Sequence, residues 1–173
     1  MRRLNLFVPL IIFIVLAILL GLGLQKETDE LPSALIDKPL PNFSLPSLEN
    51  AEKLLNQESF RGKPYLLNVW ATWCPSCHAE HAYLLKLAKM GVSIVGINTK
   101  DEVEKANKML EETGNPYIGN IVDAEGKLGL DLGVYGAPET FIVDADGIIR
   151  YRWVGVVSEE VWTQKLAPVY FNL

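Results

Sequence analysis

Cys74 and Cys77 are the only cysteines of the chain, and they stand two residues apart in NVWATWCPSCHAEH, which also holds the only two histidines, His78 and His81. Three kinds of chemistry use such a pair. A structural disulfide stabilises mainly by closing a long loop in the unfolded chain, and a loop this short constrains almost nothing. A structural zinc site needs four ligands, commonly from a second CxxC or a histidine pair. Here Cys74, Cys77 and His81 are the only residues that fit, so a metal site is disfavoured. Thiol–disulfide exchange needs no further ligand, and the flanking sequence suits it.

That sequence places Cys74 after the apolar run YLLNVWA and directly before Pro75, a residue favoured in the first turn of a helix. A sulfur at a helix N-terminus faces unpaired N–H groups and the positive end of the macrodipole, which stabilise a thiolate. The effect is ~0.3–1 kcal/mol at exposed sites and up to ~2 in favourable ones. It therefore lowers a thiol from ~8.5 by roughly one unit. Cys74 is thus the attacking sulfur, and Cys77, one turn further in, resolves the mixed disulfide. Pro75 and Ser76 lie between them and tune the pair.

The elements that must position this pair follow from periodicity. YLLNVWA and VSIVGIN read as buried strands, and NFSLPSL as a short strand. Residues 49–64 read as a loop. From Cys77 to Gly91 the apolar residues fall at helical spacing. DEVEKANKMLEETGN reads as a second helix capped by Asp101 and ended at Gly114. Ile118 to Val122 fit a short strand and KLGLDLGVYG a short helix or turn. ETFIVDADGIIRYRWVG is a hairpin around Asp144 and Gly147. The acidic pair Asp144 and Asp146 reads as turn chemistry rather than calcium ligation. Ser158 caps a last helix. Alternation of this kind gives an α/β fold, a mixed central sheet with helices on both faces.

An appendage precedes this domain. After Arg2 and Arg3 the chain runs uncharged from Leu4 to Leu24, long enough to span a bilayer as one transmembrane helix. A cleaved signal peptide has an apolar region of only about 7–15 residues and a small-residue cleavage site; neither fits. Arginines before the span and KETDE after it orient the N-terminus to the cytoplasm. The expected organisation is an anchor at 1–24, a linker at 25–41 and the domain at 42–173. Of 16 basic residues, 14 remain beyond Arg2 and Arg3 against 21 acidic, a net charge of −7, which disfavours nucleic-acid binding.

A strand, Trp73-Cys74-Pro75-Ser76-Cys77, a helix, and a distant Ala137-Pro138 before another strand resemble the thioredoxin superfamily. That resemblance implies that Pro138 is a cis-proline packed against the CxxC, and that Trp73, Ala137, Pro138 and Glu139 bind substrate. NVWATWCPSCHAEH together with GVYGAPETFIVDADG is similar, more specifically, to the DsbE/CcmG thiol:disulfide interchange proteins of cytochrome c maturation, over nearly the whole chain. His78 departs from that family, which typically carries Arg there. The resemblance implies an inner-membrane protein facing the periplasm, with no cofactor beyond its redox-active disulfide. Its partners would be apocytochrome c, or the thiol proteins that handle it, and a membrane electron donor of the DsbD/CcdA type.

Negative charge near a thiol disfavours the thiolate and makes the dithiol a better reductant. Glu80 and Glu139 are the candidates for that tuning, while His81 reads as a surface residue without chemistry. Two other functions remain in view. One is a general periplasmic disulfide reductase of the TlpA/ResA type; the other is a non-redox chaperone that holds apocytochrome. A peroxidase of the peroxiredoxin group fits poorly, because Leu67 and Ala71 stand where its Pro and Thr belong.

Overall fold

The structure, a computed structural model, describes residues 8–24 and 34–173. The chain forms two compact units, Met1–Leu31 and Pro32–Leu173. In the first, helix α1 covers Val8–Leu24, 17 apolar residues. At ~1.5 Å per residue it reaches about 26 Å, short of a ~30 Å hydrocarbon core. Among the described residues no helix is long and apolar enough to cross a membrane. The expected span and its orientation also involve residues 1–7 and 25–33, which lie outside the described set.

The second unit begins with residues the sequence reading assigned to a linker. The Asp37 N–H donates to the Ile149 carbonyl and the Leu40 N–H to that of Gly147, and Leu40 is buried. Residues 34–41 therefore belong to the folded unit. Strand β1 (Leu45–Pro46) pairs antiparallel with β2 (Leu54–Leu55), and a 3-10 turn follows at Gln57–Phe60, capped by Asn56. The expected loop is thus partly ordered, through pairing that two-residue strands do not announce.

The elements around the cysteines are β3 (Tyr65–Trp70), α2 (Pro75–Lys89) and β4 (Ile94–Thr99). Next come α3 (Val103–Thr113), β5 (Gly119–Asp123) and α4 (Lys127–Asp131). Strands β6 (Glu139–Val143) and β7 (Ile149–Val154) form the hairpin. The C-terminal segment runs through α5 (Glu159–Val161), a π turn at Trp162–Leu166 and α6 (Ala167–Tyr170). Ser158 caps α5 by accepting from the Val161 N–H. Pro168 has no N–H to bond four residues back, a plain reason for the widened turn before it.

The five-stranded sheet has the order β5-β4-β3-β6-β7, with β3, β4 and β5 parallel and β6 and β7 antiparallel to their neighbours. It is the expected mixed sheet. Strand alternation divides its side chains between two cores. Leu66, Trp70, Ile94 and Ile142 pack with Leu84 and Leu87 of α2, Ala106 of α3, and Trp162. Leu67, Val69, Val95, Ile97, Phe141 and Val143 pack on the other face with Leu128 of α4, Leu132 and Leu40. Asn68 of β3 and Thr140 of β6 point into the α2 face and are fully buried. A fully buried amide persists only when hydrogen-bonded.

Gly96 in β4 is dictated by close approach. A Cβ there would lie 2.0 Å from Asn120 Oδ1 and 2.8 Å from Trp70 Nε1. These two atoms are bonded to each other, the indole N–H donating at 3.1 Å. Gly96→Ala breaks that contact and destabilises the protein by about 1–3 kcal/mol, read as a lower midpoint in urea unfolding.

Candidate active site

The site forms where β3 ends and α2 begins. Cys74 is the N-cap of α2 and Pro75 its first residue, as the sequence reading expects. Cys74 and Cys77 are joined as a disulfide, with Cα atoms 5.3 Å apart. The Cys77 N–H points at Cys74 Sγ from 3.1 Å, the contact that supports negative charge on that sulfur when the bond opens. Both cysteines are only 3% exposed, so burial does not separate an attacking from a resolving sulfur. Position does. Cys74 is flanked by the exposed Trp73, Pro75 and Ser76, whereas Cys77 lies inside the helix.

The Ala137–Pro138 bond is cis, as the resemblance implies. It presents the Ala137 carbonyl oxygen 3.3 Å from Cys74 Sγ, where a thiol at that position donates to it. Trp73 is 55% exposed, and its indole N–H donates to the Lys100 carbonyl. Trp73, Cys74, Ala137 and Pro138 are thus brought to one place.

Glu139 stands beside them in sequence but points elsewhere. It is paired with Val69 in register and shares the alternation of Phe141 and Val143, so it lies on the α4 face, away from α2. Its fully buried carboxylate forms an ion pair with Arg152 at 2.6 Å and accepts from the Tyr135 N–H at 3.1 Å. Arg152 also donates to the Gly133 carbonyl, and its guanidinium lies 5.1 Å from the Tyr135 ring centre. The expected free charge tuning the thiol is replaced by a neutralised pair that ties residues 133–139 to β7.

Glu80 is the buried acidic residue of the helix that carries the pair. Three residues beyond Cys77, it lies one turn along the same helix face, and it is 1% exposed rather than solvated. Its Oε1 accepts from Asn68 Nδ2 at 2.8 Å and its Oε2 from the Val157 N–H at 2.8 Å. Burial pushes its carboxyl up to about 7, against the opposing pull of those two bonds. A carboxyl raised to that range can change its protonation near neutrality.

The sequence reading missed the role of Asp101. Its carboxylate accepts from the Thr72 N–H and Thr72 hydroxyl, both at 2.6 Å, and from Asn98 Nδ2 and the Glu102 N–H at 2.9 Å. Burial raises this carboxyl, but those donors outweigh it and hold it below its ordinary value. The cap position of α3 is Glu102, without a side-chain bond. An Asp before a helix reads as a cap, and nothing local reveals a partner 29 residues back.

On the other side of the loop, His78 Nε2 meets the Thr72 carbonyl at 2.8 Å, which places this exposed ring as a brace rather than a free side chain. His81 is buried, not superficial. Its Nε2 contacts the Gly114 carbonyl and the Thr113 hydroxyl, both at 3.0 Å, and burial lowers its basicity. Asp144 does the expected turn work, accepting from the N–H groups of Asp146 and Ile148. Among the described residues no three His, Cys, Asp or Glu side chains gather to hold a metal.

A disulfide at a helix N-terminus, opposed by a cis-proline on a mixed sheet, defines a thioredoxin-like disulfide oxidoreductase. The redoxin family matches residues 36–167. The chain is 53% identical over 173 residues to the thiol:disulfide interchange protein DsbE of Pseudomonas aeruginosa, covering 100% of this chain and 96% of that one. It is 49% identical over 176 residues to DsbE of Escherichia coli K12, covering 98% and 95%. Among solved structures, a secreted Mycobacterium tuberculosis disulfide oxidoreductase, described as homologous to E. coli DsbE, superposes with a TM-score of 0.62. It is 27% identical and covers 73% of this chain and 95% of that one. A secreted thiol-disulfide isomerase from Corynebacterium glutamicum, 22% identical with a TM-score of 0.68 and coverage of 83% and 95%, shares the fold. The protein belongs to the DsbE thiol:disulfide interchange family.

Glu80 has a consequence for stability. Its folded pKa, about 7, lies above its ordinary 4.5, so the native state binds more protons than the unfolded chain between those values. Its contribution is thus least unfavourable below pH 4.5 and costs stability as pH rises through 7. Relative to Glu80→Gln, which does not ionise, wild type therefore loses about 3 kcal/mol of stability between pH 4 and pH 8. Urea unfolding at both pH values checks this.

Proposed function

We propose that this protein works as a reductant of disulfides in cytochrome c maturation, acting on apocytochrome c or the thiol proteins that handle it. The observation that carries the exchange chemistry is Cys74 Sγ held at the α2 N-terminus, 3.3 Å from the carbonyl that precedes a cis-proline. In the reduced form the Cys74 thiolate attacks a substrate disulfide, forming a mixed disulfide and releasing one substrate thiolate. Cys77 then attacks Cys74 Sγ, giving the internal disulfide and a fully reduced substrate. The Cys77 proton passes to the Glu80 carboxylate, one helical turn away. Two electrons leave the protein in each cycle. A membrane electron donor of the DsbD/CcdA type returns them.

The substrate class rests on likeness to DsbE proteins along the whole chain, with the GVYGAPE segment that carries Ala137 and Pro138. The exposed Trp73 and the Ala137 backbone form the docking edge. The uncharged run from Leu4 to Leu24, with Arg2 and Arg3 before it, supports a single-pass inner-membrane anchor with the folded domain in the periplasm.

In membranes of a cytochrome c-producing bacterium, Cys77→Ser accumulates mixed disulfides through Cys74, with apocytochrome c or its handling proteins as the captured species. Non-reducing electrophoresis and mass spectrometry identify them. A spread of unrelated exported proteins would point instead to a general reductase. A variant that matures cytochrome normally, with nothing captured, would point to a non-redox chaperone.

A further inference from the structure

Glu80 does not stand alone under α2. Its Oε1 is held by Asn68 Nδ2, which also donates to Thr140 Oγ1 at 3.0 Å. The other end of the same amide, Asn68 Oδ1, accepts the Tyr117 hydroxyl at 3.0 Å. Tyr117 in turn stacks on Trp70, with ring centres 5.5 Å apart and planes at 16°, so its ring has little freedom. A continuous buried chain therefore runs from Tyr117 through Asn68 to Glu80, crossing from the loop after α3, over β3, to α2.

An amide has two ends of opposite character, a carbonyl that accepts and an NH2 that donates. Nothing in the shape of Asn68 decides which end faces Glu80, but its partners do. Tyr117 presents a hydroxyl proton and claims the carbonyl, so the NH2 turns toward the carboxyl. Burial and the nearby Glu80 charge hold the Tyr117 hydroxyl well above its ordinary value, which keeps that proton in place. An NH2 facing Glu80 favours the ionised carboxylate; a carbonyl facing it would favour the protonated acid.

We propose that Tyr117 is a positioning residue for the exchange reaction: its hydroxyl fixes the orientation of the Asn68 amide, which keeps Glu80 a proton acceptor for Cys77. The inference rests on the reading of Glu80 as that acceptor. Other groups face Glu80 without competing for the role. Cys77 and His81 share its helix, and His81 is committed to Gly114 and Thr113. Strands β3 and β6 offer Asn68 and Thr140, which do not titrate. The segment before α5 offers only the Val157 N–H.

The test is the pH dependence of the second step of oxidation by glutathione disulfide, in the full-length protein. Cys74 first forms a mixed disulfide with glutathione, releasing one glutathione thiolate. Cys77 then displaces the second glutathione as a thiol, its own proton passing to Glu80. Tyr117→Phe frees Asn68 to turn, so the rate of this second step rises at higher pH than in wild type, its midpoint displaced by roughly one pH unit, the size of one hydrogen bond to a charged group. Glu80→Gln loses that pH step, and adding Tyr117→Phe to it leaves the pH profile unchanged. A purely structural role for Tyr117 would lower the rate at all pH values with the midpoint unmoved, and would overturn the proposal. Should Glu80→Gln keep the wild-type step, the reading of Glu80 fails, and this inference with it. If Tyr117→Phe does not fold, Asn68→Leu removes the same NH2, and its midpoint must move the same way or the proposal falls.

Discussion

Everything in this site depends on a sulfur meeting a carbonyl that lies 63 residues further along the chain. Neither partner can be moved independently of the fold. Cys74 is delivered by the end of a central strand and the start of a helix, and Ala137 by a loop that must turn into the neighbouring antiparallel strand. Two buried or half-buried carboxylates fix those approaches. Asp101 gathers the Thr72 backbone and hydroxyl on one side. Glu139 gathers Tyr135 and Arg152 on the other. Each acts through short charge-assisted bonds, the strongest class available to a side chain.

The third carboxylate, Glu80, differs in kind. Its partners satisfy both oxygens, yet burial leaves it close to half-protonated at neutral pH. Burying a charge costs stability that an apolar residue of similar volume avoids. Proton exchange is the use that fits. The polar residues feeding it, Asn68 and Thr140, occupy strand positions that would otherwise carry core aliphatics. The sheet gives up apolar contact there to keep one titratable group under the helix.

Much of this was legible from sequence because the signals are local. A proline after Cys74 marks the helix start, compact apolar runs mark the central strands, and Asp144 with Gly147 marks the hairpin. What escaped was set by distant partners. Residues 54–60 became ordered through a two-residue pairing and a capped turn. Asp101 looked like a cap because its true partner lies on another loop. His81 looked superficial because a short helix with mixed polarity does not reveal which side the C-terminal segment covers. Glu139 is a different lesson. The parity of Glu139, Phe141 and Val143 was present in the sequence, and counting it would have placed that carboxylate opposite the cysteines' helix.

That parity separates two jobs. On one side of the sheet Glu80, Asn68 and Tyr117 govern when a proton moves; on the other, Glu139 and Arg152 govern how the proline loop is presented. No side chain belongs to both sets. Change in the proline loop can therefore proceed without disturbing the buried acid, and the reverse holds as well. A five-stranded partition lets one small domain vary its proline loop and its buried acid as nearly independent parts.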